Sequence, residues 1–484
     1  MANPLKQLAG ETAIYGLSSI LARVLNFLFV PIYTRMLTQV QYGVVTEFMA
    51  YIAILQVVLV LGLETGCFRF ANKEGEDPRR VYSGALLAVT GLNLAFLAAM
   101  VAFSGPISAA LGYAGYQRLI IYVAVILFCD SITAILFAKL RQEHKAVKFA
   151  VLKTVKILTE TGANLVLFFL WPAQPDFTYP VFAILVSCVL CLALFVPDVL
   201  RLHLVWDAGV VRRMLLYSLP LMIAALPGVA NDFLDRVLFR YFDTSSEAWR
   251  ASLGVYQAAV KLAVIMNLFI QMFRYAAEPF FFQRARDKGS KELYAVVMEW
   301  FTAFCGLVFL GVVGYIDVIS LFLGRDFRVG VGVVPVMLLS YMLLGMLFNV
   351  SMWYKLSGKT NMAIWITLAG LVVTAVVNVT FMPRYSYWAS AFGHLASYLV
   401  MFILCAVLGA KYYPIPYKWG RIGGLFLLMG LCYVGIALSQ GTFPSVYGGL
   451  GLSLWASMGL NTALIGLYGA LAWLLLRRRG IPVN

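Results

Sequence analysis

The amino-acid sequence predicts an all-α integral membrane protein with about fourteen transmembrane helices. Of the 484 residues, 62% are hydrophobic and only 12% are charged, whereas a typical soluble domain carries about 25% charged residues. A helix needs about 20 apolar residues to cross the ~30 Å of hydrocarbon in a bilayer. The sequence contains about fourteen runs of this kind, and the links between them are too short to hold a separate soluble domain.

The predicted spans follow one another along the whole chain. Because the chain starts without a basic leader and a small-residue cleavage site, we expect the first span to be retained. In order, the spans cover roughly residues 12–34, 43–66, 81–104, 118–138, 149–171, 179–200, 214–238, 253–276, 296–323, 332–354, 361–382, 388–410, 422–440 and 450–476.

Basic residues are distributed unevenly between the two predicted faces of the membrane. The chain has 37 Lys and Arg against 22 Asp and Glu, a net charge of 37 − 22 = +15. If the N-terminus is cytoplasmic, most of these cations fall at cytoplasmic ends, in clusters such as Arg79–Arg80, Lys145–Lys148 and Arg212–Arg213. The positive-inside rule explains this bias. We therefore expect both termini in the cytoplasm and no nucleic-acid partner.

Basic residues also lie inside predicted spans, where an unpaired charge is unfavourable. Arg23 stands near the middle of the first span, with Asn26 on the same side of the helix. The other intramembrane cations are Lys153, Lys156, Arg236, Lys261 and Arg274.

Further polar residues extend these positions into stripes. The stripe of the fifth span is Lys153, Lys156, Glu160 and Asn164; that of the eighth is Gln257, Lys261, Asn267, Gln271 and Arg274; the seventh span carries Asn231, Asp232, Asp235 and Arg236 near its outer end. Such faces must point at protein or at water. Two interpretations stay open. Ion pairs such as Lys153–Glu160 and Arg236–Asp232 could join the helices, or the stripes could line a polar cavity.

A weak internal repeat predicts two similar halves. YTRML (33–37) followed by YGVV (42–45) resembles LDRVL (234–238) followed by LGVY (253–256). Both copies belong to segments that begin in the cytoplasm, so we expect two six-helix lobes with pseudo-twofold symmetry about the membrane normal. The predicted divisions are residues 1–208, 209–415 and a C-terminal helix pair at 416–484. The cavity would be lined by the first, second, seventh and eighth spans, with the fifth nearby.

The C-terminal pair and the enzyme motifs add two further expectations. Residues 422–476 contain no charged side chain, so the last two spans look like lipid-facing additions to a twelve-helix core.

The histidines lack ligand spacing, Cys188 and Cys191 form an isolated CxxC, and no GxSxG or Walker A motif is present. We expect a transporter rather than an enzyme, with no metal, no cofactor and no disulfide.

The second span ends in GLETGCFRFANK (62–73), where Gly62 and Gly66 form a GxxxG motif for close helix approach. This stretch resembles the polysaccharide-export flippases of the multidrug/oligosaccharidyl-lipid/polysaccharide exporter superfamily. QYGVVTEFMAYIAIL (41–55), YSLPLMIAALPGVANDFLDRVLFRYF (217–242) and LGVYQAAVKLAVIMNLFIQMFRYAAEPFFF (253–282) resemble the same family. The O-antigen and polysaccharide branch is more similar than the lipid II branch.

The resemblance implies a flippase with alternating access. It would move an undecaprenyl-diphosphate-linked oligosaccharide from the inner to the outer leaflet of a bacterial cytoplasmic (inner) membrane, for O-antigen, lipopolysaccharide or other surface polysaccharide. Partners would be the lipid-linked oligosaccharide, membrane lipids and other polysaccharide assembly proteins, and we expect a monomer. The carrier tail would lie in a groove beside the last two helices.

The resemblance also assigns roles to residues of this sequence. Arg23, Lys261 and Arg236 would bind the diphosphate, with Lys153 and Lys156 as further candidates, and Arg69 and Arg274 would stand at the inner entrance. Candidate sugar contacts are Asn26, Gln257, Asn267 and Gln271. Candidate coupling or gating residues are Glu47, Glu64, Asp130, Asp232 and Asp235.

Alternative functions remain open at the level of sequence. A cation-coupled multidrug exporter of the same superfamily is the first alternative, and it would favour a cavity rich in carboxylates and aromatic rings. A membrane-embedded glycosyltransferase and a purely structural membrane protein are the others.

Overall fold

The computed structural model describes residue 21 and residues 23–171, 174–202, 204–244, 248–284, 289–440 and 453–477. Within these ranges all regular secondary structure is helical, which confirms the predicted fold class. In the first part of the chain the α-helices are α1 (Val30–Met36), α2 (Gln39–Leu59), α3 (Leu63–Ala71), α4 (Pro78–Ala102), α5 (Ser104–Ala110), α6 (Gln117–Gln142), α7 (Ala146–Leu165), α8 (Thr178–Leu200) and α9 (Ala208–Phe242).

The second part of the chain continues in the same way. Its α-helices are α10 (Trp249–Arg284), α11 (Ser290–Gly314), α12 (Ile316–Ile319), α13 (Val334–Val350), α14 (Met352–Leu356), α15 (Met362–Tyr385), α16 (Tyr387–Tyr412), α17 (Trp419–Gln440) and α18 (Leu454–Leu476). Val166–Leu170 adds a π-helical turn after α7, and Ser320–Phe322 and Arg325–Val333 are 3₁₀-helical.

Twelve helical segments in these ranges are long and apolar enough to cross a membrane, as expected of a multi-pass membrane protein. The predicted count of about fourteen stays a prediction for two reasons. The first predicted span lies largely outside the described residues. The fifth forms α7, whose Lys148, Lys153, Lys156 and Glu160 make it too polar to count by composition.

The second predicted span is broken rather than continuous. The helix stops at Leu59 and restarts at Leu63, because Leu61 and Gly62 adopt left-handed backbone angles, with φ of 57° and 65°. The buried side chain of Asn93 in α4 donates a hydrogen bond of 3.0 Å to the Leu59 carbonyl that the break releases. A polar residue from a neighbouring helix thus satisfies a backbone group that lipid could not.

The Gly62–Gly66 motif brings α3 close to α9. A Cβ on Gly62 would lie 2.7 Å from the carbonyl oxygen of Ser218, and a Cβ on Gly66 would overlap the Ser218 hydroxyl. Only glycine leaves room for this contact. The predicted role of the GxxxG motif in close helix approach is confirmed, although Gly62 acts as the N-cap of α3 instead of lying inside a helix.

The structure divides into two compact units. The first comprises residues Met1–Phe29 and Met36–Val237, and the second comprises Val30–Arg35 and Leu238–Asn484. In the first unit α4, α6, α7 and α8 pack on one another around a core that includes Leu63, Val81, Tyr82, Phe137 and Phe195. In the second unit α16 packs on α13 and α15, and α10 and α11 pack on α13. The three sequence-based divisions stay a prediction.

A short early segment belongs to the second unit because it docks there. The hydroxyl of Thr34 accepts a hydrogen bond of 2.9 Å from the backbone N–H of Gly324. The guanidinium of Arg35 donates one of 3.0 Å to the carbonyl of Leu321. Gly324 itself lies so close to Thr34 that a Cβ would overlap the Thr34 carbonyl. The contact therefore requires glycine at position 324.

The C-terminal helices are joined to α11 by polar contacts. The amide of Gln440 donates 2.8 Å to the Gly314 carbonyl, and Asn461 donates 2.8 Å to the same oxygen. At the other end of α17, Arg421 forms an ion pair of 3.3 Å with the buried Glu299. Uncharged polar residues, which the charge pattern does not reveal, thus join Arg421 in docking the pair on α11, and the expectation of a lipid-facing addition stays a prediction.

Replacing Gly324 by alanine should destabilise the second unit. Because the added Cβ would overlap backbone atoms of Thr34, we expect a loss of about 1–3 kcal/mol in the free energy of unfolding, measured as a lower thermal midpoint of the purified protein in detergent. Gly311→Ala in α11 is the control, since its Cβ would meet nothing within 4 Å; it should be neutral or stabilise by up to ~1 kcal/mol. Equal midpoints for the two variants would contradict this packing.

Candidate functional site

The first unit contains a partly buried ion pair between two helices. The ammonium of Lys156 in α7 lies 2.5 Å from the carboxylate of Asp130 in α6, and the two side chains are 17% and 26% exposed. Lys156, a candidate for the diphosphate, and Asp130, a candidate for coupling, therefore neutralise each other. The alternative pair Lys153–Glu160 is not formed; Asp130, from a different helix, is the carboxylate that the sequence stripe could not identify.

Lys153 lies one turn earlier on α7 and contacts aromatic rings instead. Its ammonium is 4.3 Å from the ring centroid of Phe137 and 5.9 Å from that of Phe149. No carboxylate of the described residues lies within ion-pair distance of it. Cation–π attraction compensates a desolvated ammonium in part, and no carboxylate of the described residues neutralises Lys153.

Glu160 and Asn164 continue the same face of α7. The amide nitrogen of Asn164 donates 2.9 Å to the backbone carbonyl of Glu160, while its side-chain oxygen is buried without a partner. Cys188 and Cys191 of α8 are buried free thiols. Among the described residues, no group of His, Cys, Asp and Glu is arranged to hold a metal ion.

Arg236 is the second intramembrane cation of the first unit without a carboxylate partner. Its guanidinium lies 4.5 Å from the ring of Phe233, and its Nε is buried with no hydrogen-bond partner. The backbone N–H of Arg236 donates 2.8 Å to the carboxylate of Asp235, which is 1% exposed. No ion pair joins Arg236 to Asp232, so the second alternative pair is not formed either.

Several more of the predicted residues lie on two other helical segments. Arg23 and Asn26 are exposed on a helical stretch of the first unit that precedes α1. In the second unit, α10 carries the buried Gln257 and the partly buried Lys261. On the same helix the amides of Asn267 and Gln271 bond to each other at 3.2 Å, and the guanidinium of Arg274 lies 4.8 Å from the Phe348 ring.

The two candidates on α3 have partners in the first unit. The guanidinium of Arg69 stacks on the ring of Tyr217 at 4.0 Å. The carboxylate of Glu64 forms an ion pair of 3.0 Å with Arg141 of α6. Arg141 lies beyond the predicted span 118–138, so the pattern of intramembrane charges did not indicate it as the partner of Glu64.

Glu47 of α2 is fully buried and accepts hydrogen bonds from two tyrosines. The hydroxyl of Tyr51 lies 2.6 Å from one carboxylate oxygen, and Tyr113 donates to the other. Tyr51 follows Glu47 by four residues, a spacing that places both on one helix face and that could have identified the pair. Tyr113 comes from the loop before α6, and no sequence signal indicated it.

These features define a multi-pass membrane protein with cations buried among its apolar helices. The sequence profile of the family described as "Polysaccharide biosynthesis protein" matches residues 8–285. The chain belongs to this family, and the sequence-based assignment to the polysaccharide exporters is confirmed.

Solved structures with the same fold come from two kinds of transport protein. A structure described as "Lipid II flippase MurJ, inward closed conformation" superimposes with a TM-score of 0.73 at 11% identity, covering 96% of this chain and 99% of that chain. An inward-facing multidrug resistance MATE family transporter superimposes with a TM-score of 0.59 at 13% identity, covering 81% and 97%. At such identities the likeness shows the fold alone. No curated protein sequence matches the chain.

Asp130→Asn should destabilise the first unit more than the same change at a pair whose ammonium is more exposed. It would leave the partly buried Lys156 ammonium without its carboxylate; breaking a fully buried pair costs about 3–5 kcal/mol, so we expect a loss of up to about 3 kcal/mol. The control is Asp198→Asn. Asp198 is itself 18% exposed, but its partner Lys148 is 43% exposed and can be solvated when the carboxylate is lost; pairs with such exposed ammonium groups contribute about 0–1 kcal/mol. Thermal unfolding in detergent measures both, and equal losses would contradict a buried pair.

Proposed function

We propose that the protein is a flippase for a lipid-linked oligosaccharide. It would carry an undecaprenyl-diphosphate-linked glycan from the inner to the outer leaflet of the bacterial cytoplasmic membrane, by alternating access, in cell-surface polysaccharide biosynthesis such as that of O-antigen and lipopolysaccharide. Family membership and the fold shared with a protein named as a lipid II flippase support the proposal.

The observation that carries the proposal is the state of Arg236. Arg236 is partly buried in an apolar helix, its Nε is fully buried without a partner, and its guanidinium makes no hydrogen bond or ion pair with any described residue. A guanidinium fork forms paired, charge-assisted hydrogen bonds with phosphate oxygens. A diphosphate head group would therefore supply the hydrogen-bond acceptors that Arg236 lacks among the described residues. Lys153, held only by aromatic rings, offers a second positive charge.

The remaining roles extend this proposal to other residues. Arg23 and Lys261 would add charge to the diphosphate site, while Arg69 and Arg274 would attract the head group at the inner entrance. Asn26, Gln257, Asn267 and Gln271 would contact sugars. Glu47, Glu64, Asp232 and Asp235 would take part in gating or coupling. The protein would act as a monomer with both termini in the cytoplasm, and as a transporter without catalytic residues or a cofactor.

A cation-coupled multidrug exporter is the alternative, favoured by the fold shared with MATE transporters. A drug cation would be bound by carboxylates. In the first unit, however, Asp130 and Glu64 are already neutralised by Lys156 and Arg141. Two intramembrane cations of this unit, Lys153 and Arg236, have no carboxylate partner among the described residues and would repel a cationic drug. The carboxyl group of Glu160 is also unpaired there, but it lies on the same helix as Lys153 and Lys156.

The test is movement of a fluorescent undecaprenyl-diphosphate glycan across proteoliposome membranes. The native protein should move it, and Arg236→Gln and Arg23→Ala should reduce the rate by about tenfold or more, since one charge-assisted hydrogen bond contributes about 1.5–3 kcal/mol. Arg118→Gln is the control, because Arg118 is an exposed cation at the start of α6; it should leave the rate unchanged.

Two outcomes would contradict the proposal. If the native protein moved no prenyl-diphosphate glycan but exported a cationic dye, the drug exporter would replace the flippase. If Arg236→Gln and Arg118→Gln moved the glycan at the native rate, the diphosphate would bind elsewhere.

A further inference from the structure

Glu160 of α7 lies beside the Lys156–Asp130 pair. It follows Lys156 by four residues, and side chains at this spacing lie on one helix face with Cβ atoms about 5–6 Å apart. The ammonium of Lys156 contacts Asp130 at 2.5 Å, and Glu160 is a second carboxyl group one turn away on the same helix face. Glu160 is partly buried, and its carboxyl group makes no hydrogen bond or ion pair within the described part of the chain.

Asn164 supplies an unused hydrogen-bond acceptor one turn beyond Glu160. Its side chain is 1% exposed, and its oxygen has no partner. An ionised carboxylate can only accept hydrogen bonds, whereas a protonated carboxyl group donates one. The orphan oxygen of Asn164 therefore suits a protonated Glu160.

The charged and titratable groups around Glu160 come from three packed helices. When all four groups are ionised, the ammonium groups of the two lysines balance the carboxylates of Asp130 and Glu160. A proton on Glu160 then leaves the cluster with one positive charge. The surrounding groups are Cys129 and Asp130 of α6, Lys153 and Lys156 of α7, and Cys188 and Cys191 of α8.

A proton fits this cluster better than a metal cation does. Lys156 already occupies the position beside Asp130, and its charge together with that of Lys153 would repel a second cation. A proton binds to one carboxyl oxygen and needs no such space.

We propose that Glu160 is a proton-binding site that controls the contact between α6 and α7. When Glu160 is protonated, its hydroxyl donates to Asn164, and Lys156 stays on Asp130. When Glu160 is ionised, it competes for the Lys156 ammonium and weakens the link to Asp130. This gives α7 two arrangements that a proton can select. The proton site itself does not depend on the proposed flippase function. Only the effect of this proton on transport rests on that function.

Infrared difference spectroscopy of the full-length protein in lipid nanodiscs tests the proton site directly. Between about pH 8 and about pH 5, a range in which a perturbed carboxyl group can titrate, a carboxylic-acid C=O band should grow. Glu160→Gln should remove this band, while Glu292→Gln, at an exposed position on α11, should retain it. A spectrum identical in native protein and Glu160→Gln would overturn the proposal.

Asn164→Leu provides a second variant that keeps the carboxyl group. Loss of the acceptor should raise the stretching frequency of the Glu160 band, because the protonated group no longer donates to Asn164. An unchanged frequency would refute the assigned hydrogen bond and with it the proposed site.

Transport under a pH gradient separates this inference from the flippase proposal. In the fluorescent-glycan assay, an imposed gradient should change the native rate several-fold and leave the rate of Glu160→Gln unchanged. Equal responses of both proteins would overturn control of transport by a proton on Glu160 and leave the flippase intact. Absence of glycan movement in the native protein would refute the flippase, while the infrared band would still decide whether Glu160 binds a proton.

Discussion

The structure depends on one constraint: a charge within an apolar helix needs a partner. The first unit meets this constraint in different ways. Lys156 is neutralised by a carboxylate on the adjacent helix, and Lys153 lies on an aromatic ring. Arg236 has a ring on one side and a buried nitrogen without a partner. Paired charges such as Lys156 and Asp130 hold helices together. Under the proposed function, the cations without a carboxylate partner, Lys153 and Arg236, are available to bind a ligand.

The backbone obeys the same constraint wherever a helix stops. At the break after α2, Asn93 bonds to the released carbonyl of Leu59. At the end of α11, Gln440 and Asn461 share the carbonyl of Gly314. In each case a polar side chain from a neighbouring helix supplies what water would supply in a soluble protein. These contacts also fix which helices are neighbours, and that determines which side chains the cations can reach.

Composition and periodicity were sufficient to predict the class of fold, most spans and the polar face of α7. They could not pair Lys156 with Asp130, because the two residues lie on different helices. A polar stripe shows which residues share a face of one helix, but not which neighbouring helix that face contacts. The left-handed turn at Leu61 and Gly62 was missed because both residues continue an apolar run. The docking of α17 and α18 was missed because Gln440 and Asn461 carry no charge. The sequence also predicts that Arg236 is an intramembrane cation, but only the coordinates show that its Nε has no partner.

The most direct test of the account is the affinity of the purified protein for a short-chain prenyl diphosphate. If Arg236 is left for a ligand, Arg236→Gln should weaken binding by about 10–100-fold, the equivalent of about 1.5–3 kcal/mol for one charge-assisted contact. The charge-neutral double variant Asp130→Asn with Lys156→Gln should bind nearly as well as the native protein, because that pair neutralises itself. Unchanged affinity in Arg236→Gln, or an equal loss in the double variant, would contradict the account.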